Sequence, residues 1–107
     1  MNISFLFWNL YRKPLQELIA NLAFGYEVNV LMFVECVIEP DVLLNTLNRN
    51  GSAEYHYAPG IITPGKVEIF TRFPDEFLHP IYDENRLTIR HLKLPGMTDI
   101  LLAITHF

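Results

Sequence analysis

The hydrophobic pattern of this 107-residue chain changes period twice before residue 35. Apolar side chains dominate residues 3–8, and an unbroken apolar run occupies residues 30–34. Between the two runs, apolar residues follow the i, i+3, i+4, i+7, i+8 spacing of an amphipathic helix, namely Leu15, Leu18, Ile19, Leu22 and Ala23. A strand, a helix and a second strand in this order indicate a layered α/β sheet, which is the fold class we expect.

The rest of the chain predicts one more helix and several strands. The helix should run from Pro40 to about Leu47, with Val42, Leu43 and Leu47 facing inward. The period of two then predicts strands at residues 53–58, 66–72, 76–82, 86–94 and 99–107. The first strand, within residues 2–10, is apolar on both faces, so we expect both of its faces to be buried.

Composition excludes several classes of protein. The net charge is −4 and there is no basic tract, so the chain has no obvious electrostatic footprint for nucleic acid. No apolar run approaches the roughly 20 residues that span a bilayer. The single cysteine, Cys36, excludes an internal disulfide and a cysteine-cluster zinc site. We expect a cytoplasmic protein without a signal peptide or a membrane span.

Polar side chains end three of the predicted strands. The first strand ends at Asn9, the second at Glu35, and the last at Thr105 and His106. Ligands of open α/β sheets bind outside the carboxyl ends of the strands. Carboxylate and amide oxygens suit Mg²⁺, and a histidine can bond a phosphoryl oxygen or move a proton. We therefore predict a metal site at Glu35 and Asn9, with His106 opposite.

Each of these residues also has a simpler interpretation. Asn9 suits a turn, His106 suits a surface position, and Cys36 suits a small buried apolar side chain. Glu35 suits an ion pair with one of three arginines, namely Arg72, Arg86 and Arg90. Four further acidic residues are expected on a solvated loop face, namely Asp75, Glu76, Asp83 and Glu84.

The three strand endings, in this order, resemble those of the endonuclease/exonuclease/phosphatase family, which has the deoxyribonuclease I-like fold. The similar stretches are "ISFLFWNL", "VNVLMFVEC", "KVEIFTRF", "NRLTIRHLKL" and "DILLAITHF". The resemblance implies that Glu35 holds the catalytic metal, with Asn9 beside it, and that His106 contacts the scissile phosphate. It also implies a supporting role for Arg86, by pairing with Glu35. Glu68 stands where the family usually has a small residue.

The resemblance covers the whole chain but only the N-terminal half of a family domain. The family's "Gly-Asp-x-Asn" and "Ser-Asp-His" elements do not occur in the sequence. We therefore expect residues 1–107 to be a single truncated unit. Its expected architecture is half of a four-layered α/β sandwich, a mixed sheet with flanking helices. A homo-oligomer or a C-terminal half would then cover the exposed sheet edges.

The activity implied by the resemblance is hydrolysis of a phosphoester with Mg²⁺ or Mn²⁺, by in-line attack of water on phosphorus. The substrate stays open among DNA, RNA, inositol phosphates and lipids. We expect the 107-residue form to be inactive, because the groups that activate the water are absent. The alternative is a non-catalytic interaction module that keeps the fold without the chemistry.

Overall fold

The computed structural model describes residues 2–49, 54–61, 67–84, 86–97 and 99–105. Each predicted helix and strand has a counterpart within this part of the chain, so the existence and type of the elements are confirmed. Residues 53, 66, 106 and 107 of the predicted strands lie outside the described residues. A short 3-10 turn, Asp75–Phe77, occupies the start of the stretch predicted as strand 76–82. The elements are β1 (Phe5–Asn9), α1 (Gln16–Gly25), β2 (Val30–Val34), α2 (Pro40–Asn48), β3 (His56–Ala58), β4 (Val67–Thr71), β5 (Leu78–Asp83), β6 (Leu87–Leu92) and β7 (Ile100–Thr105).

The strands form two sheets of different character. A mixed four-stranded sheet has the order β1-β2-β4-β3, in which β1 and β2 are parallel and β4 is antiparallel to both of its neighbours. An antiparallel three-stranded sheet has the order β5-β6-β7. The parallel pair requires a crossover, which α1 supplies. These features confirm the predicted α/β class with a mixed sheet and flanking helices.

The four-stranded sheet is the middle layer of three. Its first face packs against the helices, where Phe33 and Phe70 meet Ile19 of α1 and Leu43 of α2 in one apolar cluster. Its second face packs against the three-stranded sheet in another cluster, whose members from both sheets include Met32, Ile69, Leu92 and Ile104. Consecutive residues of β2 alternate between these two clusters, so the strand is buried on both faces.

Three of the burial predictions are wrong. β1 is one of the two edge strands of its sheet and is only half covered, so that Phe7 is 47% exposed. Leu18 on α1 and Val42 on α2 are also exposed, because each lies at the margin of its helix's apolar stripe. Neither helix in the described part of the chain is long and apolar enough to cross a membrane.

A buried ion pair joins β5, β6 and the segment after β3. Arg90 Nη1 lies 2.9 Å from Asp83 Oδ1, and the two side chains are 2% and 7% exposed. Thr88 Oγ1 donates to the same carboxylate at 2.9 Å, and the backbone N–H of Ile61 donates to it at 2.7 Å. The expectation of a solvated Asp83 is therefore wrong. A side chain at Gly60 would clash with both Asp83 and Arg90, so this close approach requires glycine.

Candidate functional site

The carboxyl ends of β1 and β2 place Asn9 and Glu35 side by side. In the parallel register Asn9, the last residue of β1, pairs with Val34, the last residue of β2, so the carboxyl ends of both strands lie at the same edge of the sheet. Asn9 Nδ2 donates a hydrogen bond of 2.8 Å to Glu35 Oε2. Two residues that are 26 positions apart in the sequence thus meet directly.

A left-handed backbone conformation at Glu35 makes this contact possible. Asn9 and Val34 share the face that points toward the three-stranded sheet, where Val34 belongs to the inter-sheet cluster. Strict alternation would direct Glu35 to the opposite face. The φ of Glu35 is instead +50°, which ends the alternation and brings the carboxylate to Asn9. This backbone conformation is unfavourable for any residue other than glycine.

The segment that follows β1 supports the same arrangement. Its backbone is bonded to the end of β2, because the N–H of Leu10 donates to Val34 O at 3.0 Å and that of Arg12 donates to Glu35 O at 2.9 Å. Tyr11 and Arg12 also have positive φ values, of 50° and 61°. Backbone strain of this kind concentrates at functional sites, where the surrounding structure holds it in place.

The hydrogen bonds of Asn9 and Glu35 determine which atoms are available to a metal ion. Asn9 Oδ1 accepts a hydrogen bond of 2.9 Å from the backbone N–H of Tyr11, so both ends of the amide are engaged. Glu35 Oε1 accepts no hydrogen bond from any residue that the structure describes, and the side chain is half-buried. One oriented carboxylate with a free oxygen fits Mg²⁺, which binds proteins through one or two carboxylates and keeps several waters.

Clusters of three or more metal-ligating side chains are not found among the described residues. Glu35 also makes no ion pair there with the three arginines proposed as its simpler partners. Arg90 instead pairs with Asp83. Arg86 is exposed, and it precedes β6 next to the carboxyl end of β7, because Leu87 pairs with Thr105.

The third predicted strand ending lies partly beyond the described residues. His106 is outside them, so its relation to Glu35 stays a prediction. Thr105, the last residue of β7, is exposed and lines a cleft of about 310 Å³ together with Phe7 and Met32. The end of β7 therefore lies across this cleft from Phe7, which is two residues before Asn9 on β1.

Glu68 and Tyr57 are a polar pair that sequence reasoning did not single out as a site. The Glu68 side chain is almost fully buried on β4, in register with Phe33 of β2. Burial, followed by a hydrogen bond to Glu68, raises the pKa of the Tyr57 hydroxyl. The available signal was a carboxylate inside the apolar stretch "KVEIF". Burial also raises the pKa of the neighbouring Cys36 thiol, which argues against a nucleophilic cysteine.

Comparison with known proteins identifies a similar fold. No protein-family model and no curated protein sequence matches the chain. Among solved structures, the chain is similar to an endonuclease/exonuclease/phosphatase family protein from Leptotrichia buccalis C-1013-b, with a TM-score of 0.58 and 16% sequence identity. The match covers 99% of this chain and 54% of that protein, so the chain spans about half the length of its structural neighbour. The resemblance is confirmed at the level of the fold, which is half of a deoxyribonuclease I-like fold.

Proposed function

We propose that this chain is part of a metal-dependent phosphoester hydrolase and that its Glu35 is a ligand of the metal ion. The observation that supports this most directly is the Asn9–Glu35 hydrogen bond at the carboxyl edge of the parallel strands. The fold similarity to an endonuclease/exonuclease/phosphatase family protein supports the same class of chemistry. Structural likeness at 16% identity bears on the fold alone, so the activity rests on the residues at this edge.

In this proposal Glu35 is the metal ligand and Asn9 positions it. Glu35 Oε1 would bind Mg²⁺ or Mn²⁺, while the Asn9 amide holds Oε2 and so fixes the orientation of the carboxylate. The bound ion would neutralise negative charge that develops on the phosphate oxygens during hydrolysis. By the resemblance, His106 would donate a hydrogen bond to the phosphate, and Arg86 would support the site from the start of β6.

Phosphoesters are the proposed substrate class, with nucleic acid among them. Two cations, Arg12 and Lys13, lie exposed in the segment that begins beside Asn9, and neither forms an ion pair with a described residue. They are placed to attract an anionic substrate to this edge. These 107 residues alone should show little turnover, because the sequence lacks the family's second set of site elements. The lone cysteine supports a cytoplasmic location.

Metal binding by the 107-residue chain tests the proposal without requiring turnover. Titration with Mn²⁺ should broaden the NMR amide signals of residues 9–12 and of Glu35 first, because relaxation by the paramagnetic ion falls steeply with distance. The variant Glu35→Gln keeps the shape of the side chain and removes its charge, so it should lose this local broadening. The control Glu39→Gln, at an exposed carboxylate nearby, should broaden like the native chain.

The outcome also separates the proposal from the alternative. Broadening that is the same in Glu35→Gln would place the ion elsewhere and overturn the assignment of Glu35. No broadening near Asn9 in the native chain would favour the non-catalytic interaction module.

A further inference from the structure

A second cavity lies on the helix side of the four-stranded sheet, at the opposite end from Glu35. Its volume is about 390 Å³, within the range of small-molecule pockets. Glu35 follows the carboxyl end of β2, whereas this cavity lies at the amino end of the strand, roughly 16 Å away along five residues. The lining residues are Ala20, Ala23, Phe24, Gly25, Glu27, Leu47, Tyr55 and Arg72.

The cavity is lined by a cation, Arg72, that forms no ion pair with the described residues. The Arg72 guanidinium is half-buried and makes no ion pair or side-chain hydrogen bond with any residue that the structure describes. All twelve acidic side chains of the chain belong to the described residues, so no carboxylate side chain in this sequence neutralises it. A half-buried arginine gains most from a bidentate partner, and a carboxylate has the matching geometry.

The Tyr55 hydroxyl, a second polar group of the cavity, is already engaged. The Tyr55 hydroxyl donates to Val28 O at 2.5 Å, and burial raises the pKa of Tyr55, although the charge of Arg72 opposes this shift. The phenol therefore stays neutral at physiological pH. The side chains that α1 and α2 contribute to the walls are apolar, namely Ala20, Ala23, Phe24 and Leu47, and they suit an aliphatic or aromatic group.

Glu27 limits how much negative charge a ligand of this cavity can have. It is exposed and lies on the cavity wall without pairing with Arg72. The single charge of Arg72 balances a monocarboxylate, whereas a phosphate with close to two charges would keep a net negative charge next to Glu27. The cavity therefore favours a ligand with one negative charge, whereas the site proposed at Asn9 and Glu35 would act on a phosphoester.

We propose that this cavity binds a small apolar monocarboxylate, with Arg72 recognising the carboxylate and the walls from α1 and α2 covering the apolar group. The proposal is independent of the hydrolase proposal, because no residue is shared between the two sites.

Phenylbutyrate, an aromatic monocarboxylate, is the probe for this site. Added to the 107-residue chain, it should cause saturable shifts of the NMR amide signals of Ala20, Ala23 and Gly25, with no shift at Asn9 or Glu35. Phenylbutyramide has nearly the same shape without the charge, so it should bind at least about ten-fold more weakly. Equal shifts from both probes would show that the carboxylate is not recognised and would overturn the proposal, as would no shift at all.

Variants of the two charged residues test the assignment. Arg72→Met should weaken phenylbutyrate binding about ten-fold, and Arg72→Lys, which keeps a charge without the planar fork, should weaken it less. Glu27→Gln should tighten binding about two-fold by removing repulsion. Arg49→Met, a change at an exposed arginine paired with Glu17, should have no effect. The same spectra report whether each variant is folded. Unchanged binding in folded Arg72→Met would overturn the proposal.

Discussion

Glu35 combines a proposed role as metal ligand with an unfavourable backbone conformation. Its φ of +50° brings the carboxylate to Asn9, and a left-handed conformation costs a residue with a side chain roughly 1–2 kcal/mol. The neighbouring backbone bonds of Leu10 and Arg12 to the end of β2 hold this conformation in place. Stability is thus given up at the position where the proposed ligand must be oriented.

A comparison of two variants measures this strain. Glu35→Gly and Glu35→Ala both remove the carboxylate and its hydrogen bond to Asn9, so they differ mainly in the cost of the left-handed conformation. Glu35→Gly should be the more stable of the two by about 1 kcal/mol, because glycine adopts positive φ freely. Urea unfolding without metal gives the two free energies. An Ala variant at least as stable as the Gly variant would indicate that Glu35 does not keep this conformation in solution.

The sequence predicts which residues end the strands, but it does not predict how Glu35 turns. Strand endings follow from apolar runs that stop at a polar residue, as at Val34 and Glu35. A positive φ depends on hydrogen bonds to a segment more than twenty residues away, such as Arg12 N–H to Glu35 O, which no local pattern encodes. The burial of Asp83 is also not predictable from a local pattern, because it depends on the pairing of β5 with β6, which brings Arg90 to the carboxylate.

At the scale of elements, the Asp83–Arg90 pair connects the two sheets. It lies between β5 and β6 and also holds the segment after β3 through the Ile61 N–H. Two sequence patterns predicted strands, because β6 alternates between buried and half-buried residues, whereas β2 is an unbroken apolar run that is buried throughout. Their places in the sheets could not be predicted, because an edge strand such as β1 and a central strand such as β2 have equally apolar sequences.

Removing one member of this pair should be strongly destabilising. Asp83→Ala leaves the Arg90 charge buried without its partner and should lower the free energy of unfolding by about 3–5 kcal/mol. The double variant Asp83→Ala with Arg90→Met removes both charges and should recover much of that loss. Urea unfolding of the three proteins tests this. If Asp83→Ala costs no more than a typical surface substitution, the pair is not buried in solution.

The same ion pair predicts how the stability of the fold decreases at acidic pH. Burial alone raises the pKa of Asp83, but hydrogen bonds from Arg90, Thr88 and Ile61 outweigh it and hold the pKa below its ordinary value of 3.8. A lowered pKa in the folded state gives stability that is present above the ordinary value and is lost as pH falls through the lowered one. Unfolding midpoints measured down to about pH 2 should therefore fall less steeply in the double variant than in the native chain.

At the scale of the whole molecule, apolar surface on the three-stranded sheet has no covering layer among the described residues. Its outer face exposes Ile81, Tyr82 and Leu101, and the Leu101 side chain is 64% exposed. β1 and β7 are also edge strands of their sheets. Exposed apolar faces and free strand edges favour association with another chain or segment.

We therefore expect the 107-residue chain to self-associate as its concentration rises. Leu101→Glu places a charge in the exposed face of β7 and should shift the equilibrium toward the monomer. Val42→Glu, at a similarly exposed apolar residue on α2, is the matched control and should leave the equilibrium unchanged. Sedimentation velocity at several concentrations measures the effect. A native chain that stays monomeric throughout the series would contradict this expectation.

The central position of β2 has a consequence for the chain before it is fully folded. Val30–Val34 is an uncharged stretch of five apolar residues, the composition of aggregation-prone segments. Its neighbours in the sheet are β1, which is synthesised earlier, and β4, which is synthesised more than thirty residues later. During synthesis, the edge of β2 that pairs with β4 therefore stays without a partner until β4 has been made. Glu27 and Glu35 flank the stretch as charged gatekeepers. We therefore expect the carboxylate that we propose as a metal ligand also to oppose misassembly of the nascent polypeptide.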